Sequence, residues 1–151
     1  MAVYIRKDLD YKVRSDLMRN MIPEVWLEIG RGHKKKILGF IYREHSLWEE
    51  IGTNGNSSKN SEQNRRFSQW INSKKKLWEA RTETIVMGDF NINWSRKQDM
   101  YYNRAEMVEE LEENLEQNNF VQLISGDTRG RGRLRSGIDL CFSNNLCTLT
   151  I

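Results

Sequence analysis

Hydrophobic residues recur along this chain in two rhythms, one of period two and one near 3.6. Ala2-Val-Tyr-Ile-Arg6 alternates and predicts a strand; Val25-Trp-Leu-Glu-Ile29, closed by Gly30, predicts a second, and Lys36 to Tyr42 a third. Gly30-Arg-Gly-His33 between the last two predicts a hairpin, so the first part of the chain reads as antiparallel sheet. Gly52 to Asn60, rich in Gly, Ser and Asn, predicts a loop. The period then changes. Phe67, Trp70, Ile71 and Trp78 share one helical face, predicting a helix over Ser61 to Ala80 with Asn60 as its cap and Gln63 three residues on. Thr84 to Met87 returns to strand. Asn103 with Glu106 repeats the capping pattern, and Met107, Leu111 and Leu115 mark a second helix ending near Gln117-Asn-Asn119. Phe120 to Ile124, Ile138 to Phe142 and Leu146 to Ile151 read as further strands. No repeat or linker divides residues 1–151, so a single α/β domain is expected, its sheet mixed and largely antiparallel.

Composition narrows the function classes. Charged residues make up 30% of the chain, and the mean hydropathy of −0.75 belongs to a polar surface. The longest apolar run, Ile37 to Tyr42, is far short of the ~20 residues that span a bilayer, and Arg6 and Lys7 interrupt the N-terminal segment before any signal-type core. The expected setting is cytoplasmic or nuclear, without a membrane. Cys141, Cys147, His33 and His45 match no zinc spacing and read as reduced thiols and loop imidazoles. The formal net charge is only +3, but it is clustered: Arg31 to Lys36, Lys74 to Lys76 and Arg129 to Arg135 are basic, while Glu106 to Glu116 is acidic. Such runs suit a polyanion and also suit a solvated surface.

The chemistry is concentrated where strands end. Ile85-Val-Met runs into Gly88-Asp-Phe-Asn-Ile-Asn93; Tyr42 closes the third strand; Asp139 lies within Ile138 to Phe142. Read locally, Asp89 and Asn91 are turn formers and Tyr42 a half-buried strand aromatic. If the three strand ends converge, they bring two carboxylates, an amide and a phenol together, a set suited to phosphodiester hydrolysis.

The ordered trio Ile41-Tyr42, Gly88-Asp-Phe-Asn91 and Ser136-Gly-Ile-Asp-Leu140 resembles the endonuclease/exonuclease/phosphatase superfamily, and within it the apurinic-like endonuclease domains that precede reverse transcriptases in non-LTR retrotransposons. The resemblance runs from Ala2-Val-Tyr-Ile-Arg-Lys-Asp-Leu9 to Ile138-Asp-Leu-Cys-Phe-Ser-Asn144. It implies a four-layer α/β sandwich of two sheets with outer helices, and Mg²⁺-assisted hydrolysis of DNA. By position, it implies that Asp89 aligns and activates water, Asn91 orients that water or a phosphoryl oxygen, Tyr42 contacts the phosphate, and Asp139 holds and polarises a catalytic His. Thr128 would match a substrate-side threonine, and Arg129, Arg131, Arg133 and Arg135 would steer the nucleic-acid backbone.

The same resemblance places the chief metal ligands, an Asn and a Glu, on strands before the segment that Ala2 to Arg6 resembles, and the catalytic His in a Ser-Asp-His motif after Ile151. Neither falls within residues 1–151, and nothing in the spacing of His33 or His45 makes either a substitute. The expectation is an incomplete domain, a retroelement endonuclease fragment of weak or no activity as it stands, with a non-catalytic nucleic-acid-binding fragment as the alternative. Oligomeric state and cleavage specificity are not legible.

Overall fold

The computed structural model describes residues 1–44, 58–92, 94, 105–124, 126, 128 and 139–144. Among the described residues, besides two short 3-10 turns, six strands and three α-helices follow one another: β1 (Tyr11–Val13), β2 (Glu24–Ile29), β3 (Lys36–Tyr42), α1 (Ser58–Ser73), α2 (Lys75–Trp78), β4 (Glu83–Asp89), α3 (Ala105–Gln117), β5 (Val121–Gln122) and β6 (Asp139–Ser143). The strands form a six-stranded sheet in the order β1-β2-β3-β4-β6-β5. Every neighbouring pair is antiparallel except β3 and β4, which run parallel. That parallel pair is joined through the two helices α1 and α2, because strands running the same way need a long crossover.

Alternation along β3 and β4 sorts their side chains onto two faces. Ile37, Gly39 and Ile41 on β3 lie in register with Thr84, Val86 and Gly88 on β4, and Leu140 and Phe142 on β6 continue the same rungs. This face meets the helices. Its core joins Trp26, Ile37, Ile41 and Val86 to Phe67, Trp70 and Ile71 of α1, Leu77 and Trp78 of α2, and Val108, Leu111 and Leu115 of α3. Gly39 is required here by close approach: a Cβ would stand 2.4 Å from the Trp26 ring, which lies across the strand. Fully burying a large side chain of this kind stabilises by about 1.5–3 kcal/mol. The opposite face carries Leu27, Leu38, Phe40, Ile85, Met87 and Cys141; Leu27 is buried and the others are half-covered.

The α/β class, the hairpin at Gly30 to His33 and the aromatic face of the first helix all agree with the sequence reading. Several elements depart from it. Residues 2 to 6 form no strand; the edge strand is Tyr11–Val13, which pairs with Leu27 to Ile29. The first helix starts at Ser58, so Asn60 lies within it and is no cap, and it breaks at Lys74. The break has a cause: the Lys74 side chain is buried and reaches back to the Leu17 carbonyl oxygen and to Glu24 Oε2, the latter at 2.7 Å. The strand expected over Phe120 to Ile124 shortens to Val121–Gln122. Asn103, residues 146–151 with Cys147, and His45 lie outside the described residues. Among the described residues, no helix is long and apolar enough to cross a membrane.

Candidate active site

Gly-Asp-Phe-Asn-Ile at the end of β4 is an alternation of two destinies. Phe90 and Ile92 are fully buried, Phe90 against Phe67, Trp70 and Phe142, and they fasten the loop into the helix-side core. Asp89 and Asn91 are left at the sheet's rim. The Asp89 Oδ1 accepts the Asn91 backbone N–H at 3.0 Å, so the local turn reading of this pair holds. That turn places Asn91 at φ +48, in the left-handed region that Asn tolerates better than most residues.

The three strand ends also converge. Tyr42 on β3 is in register with Asp89 on β4, and Asp89 is in register with Asp139 on β6. Three side chains from segments far apart in sequence thus occupy one rung of three neighbouring strands, pointing away from the helices. Directly opposed residues on an antiparallel pair have Cβ atoms about 4.5–5.5 Å apart, so the two carboxylates are near neighbours. Tyr42 is exposed. Thr128 joins this edge, its Oγ1 accepting the Asp139 backbone N–H at 3.1 Å. Tyr42, Asp89, Asn91, Asp139 and Thr128 are therefore brought together. Arg129, Arg131, Arg133 and Arg135 lie outside the described residues.

Arg43 is at the site and was not marked by the sequence reading. It follows Tyr42 and is buried on the helix side, its guanidinium 5.3 Å from the centre of the Phe67 ring. Burial lowers its pKa to about 10, against the pull of the Asp89 charge, so it remains a cation at neutral pH. A charged residue leaving a strand reads as solvated. The available signal was its phase, because Arg43 continues the inward series Ile37, Gly39, Ile41.

The rim offers oxygen donors: two carboxylates, an amide oxygen and a hydroxyl, the ligand type that Mg²⁺ takes. Among the described residues, no three His, Cys, Asp or Glu side chains are grouped closely enough to hold a metal ion by themselves.

Neither a family model nor a curated protein matches this sequence. Solved structures do. The endonuclease domain of TRAS1, a telomere-specific non-LTR retrotransposon, aligns over 89% of this chain and 54% of its own length with a TM-score of 0.57 and 20% identity. An endonuclease/exonuclease/phosphatase family protein from Leptotrichia buccalis C-1013-b aligns over 92% of this chain and 50% of its own length, with a TM-score of 0.41 and 14% identity. This chain, spanning about half the length of the TRAS1 domain, shares the α/β fold of the part it covers.

Proposed function

We propose that the rim formed by Tyr42, Asp89, Asn91, Asp139 and Thr128 is the reacting edge of a DNA endonuclease that hydrolyses a phosphodiester. The observation that carries this reading is the single rung on which Tyr42, Asp89 and Asp139 stand. In this reading Asp89 aligns the attacking water and takes its proton, while Asn91 orients that water or a phosphoryl oxygen through its amide. The Tyr42 phenol contacts the phosphate. Asp139, with its backbone fixed by Thr128, orients the base or acid that serves the leaving oxygen.

The donor set fits Mg²⁺ in type, and Asp89 and Asp139 are the residues whose carboxylates would hold the ion. When bound, Mg²⁺ neutralises charge developing on the phosphoryl oxygens. The half-covered apolar face of the sheet supports the finer fold reading, a sandwich in which a second sheet packs on Leu38, Phe40, Ile85 and Met87.

Nicking of supercoiled plasmid tests the proposal. With Mg²⁺ the chain is expected to cut slowly, and EDTA to stop it; Asp89→Ala and Asp139→Ala are each expected to lower the rate by roughly 10²-fold or more. Cutting at full rate by both variants overturns the assignment. DNA binding that weakens with salt and is indifferent to Asp89→Ala, with no cutting, gives the non-catalytic binding function instead.

A further inference from the structure

The loop that carries Asp89 and Asn91 turns away from the sheet, so its carbonyls lose the ladder partners that the strand enjoyed. Arg43 supplies them. Its backbone N–H donates to the Asp89 carbonyl at 2.9 Å, its Nη1 to the Phe90 carbonyl at 3.1 Å and the Asn91 carbonyl at 3.0 Å, and its own carbonyl accepts the Asn91 Nδ2 at 2.6 Å. Nη2 donates to Asn64 Oδ1 at 3.0 Å, tying the guanidinium to α1. One residue thus engages three consecutive loop residues and a helix. With Nδ2 held, the Asn91 amide can turn only within narrow limits, and its oxygen remains available as an acceptor.

Burying a guanidinium is unfavourable, and here the burial is 94% complete with Nε left unpartnered. A core that needed only volume would be better served by Met or Leu. What an apolar residue cannot do is donate to two adjacent carbonyls and a helix amide at once, and the ammonium of Lys lacks the planar fork that does so.

We propose that Arg43 is the positioning residue of this rim: it sets the loop that presents the Asp89 carboxylate and the Asn91 amide to the phosphodiester. This rests on the reading of that rim as the reacting edge. Arg43 touches no substrate itself, being on the opposite side of the sheet from Tyr42.

The test compares Arg43→Lys with wild type in the full chain, by backbone hydrogen exchange over Phe90 to Ile92 and by the separate kcat and KM of Mg²⁺-dependent nicking. Arg43→Lys is expected to raise exchange in the loop about tenfold or more and to lower kcat about a hundredfold, as misplacement by an ångström does. KM should stay within about twofold. Asn64→Ala, which cuts the tie to α1 and leaves the loop contacts, is expected to move both readouts the same way by less, and it decides the matter if Arg43→Lys does not fold. Unchanged loop exchange in the variants, or raised exchange with unchanged kcat, overturns the positioning role. Nicking that is indifferent to Asp89→Ala fails the reading of the rim instead, and in that event the exchange data still show whether Arg43 holds the loop.

Discussion

Gly88 shows how tightly the rim is specified at the level of one residue. It sits at φ +149, and a Cβ built there would stand 1.9 Å from the Ile41 carbonyl oxygen, a main-chain atom with no freedom to move. Gly88→Ala is therefore expected to destabilise the fold by roughly 3 kcal/mol or more, read as a lower urea midpoint with an unchanged slope. Glu24 is the second critical residue. Its Oε2 accepts Trp26 Nε1 at 2.6 Å, Trp70 Nε1 at 2.7 Å and Lys74 Nζ at 2.7 Å, all away from solvent, and burial pulls the Lys74 pKa down against the attraction of Glu24. Lys74→Met leaves a buried carboxylate unpaired and should cost about 3–5 kcal/mol, while adding Glu24→Gln should restore part of the loss. At the surface, the Arg14 guanidinium holds the Asp16 carboxyl at about 2. Because that pKa is depressed, the pair's contribution is present above the ordinary carboxylate range and is lost as pH falls toward 2. Carboxyl NMR titration of Asp16 checks the value.

Elements were legible wherever one apolar period dominated. The aromatic helix announced itself through Phe67, Trp70, Ile71 and Trp78, and all four are buried. β2 and β3 were legible from their length and the glycines between them. Residues 2 to 6 misled because alternation is shared by strands and by exposed arms; Tyr4 is 97% exposed, so no partner face rewards the pattern. The edge strand Tyr11–Val13 was hidden by its polarity, since it is held by backbone pairing with β2 and by the Arg14 to Glu28 ion pair, with no buried side chain. The helix break at Lys74 depends on a tertiary partner, Glu24, fifty residues away, which no local pattern can reveal. The rim was legible as a set of residues, because polar groups at strand ends need a reason. Its register came only with the topology, and Arg43 was hidden because charge outweighs phase in a sequence reading.

On the scale of the molecule, the two faces of the sheet are treated unequally. One is sealed by helices; the other presents Leu38, Phe40, Ile85, Met87 and Cys141 half-covered, with Tyr11 and Val13 each 50% exposed at its edge. An apolar face of this kind binds hydrophobic dyes and associates with itself. The chain is expected to enhance anilinonaphthalene sulfonate fluorescence in its native state, and Phe40→Glu on that face to reduce the signal; a native chain that leaves the dye dark would mean the face is closed. The rung shared by β3, β4 and β6 has a different consequence, which lies in time. Tyr42 and Asp139 are separated by about 100 residues, so a ribosome adding roughly 5–20 residues per second makes the Asp139 carboxylate about 5–20 s after the phenol. Throughout that interval the nascent chain can complete the β2–β3 hairpin and still be without the rung, which closes only after translation has passed β6.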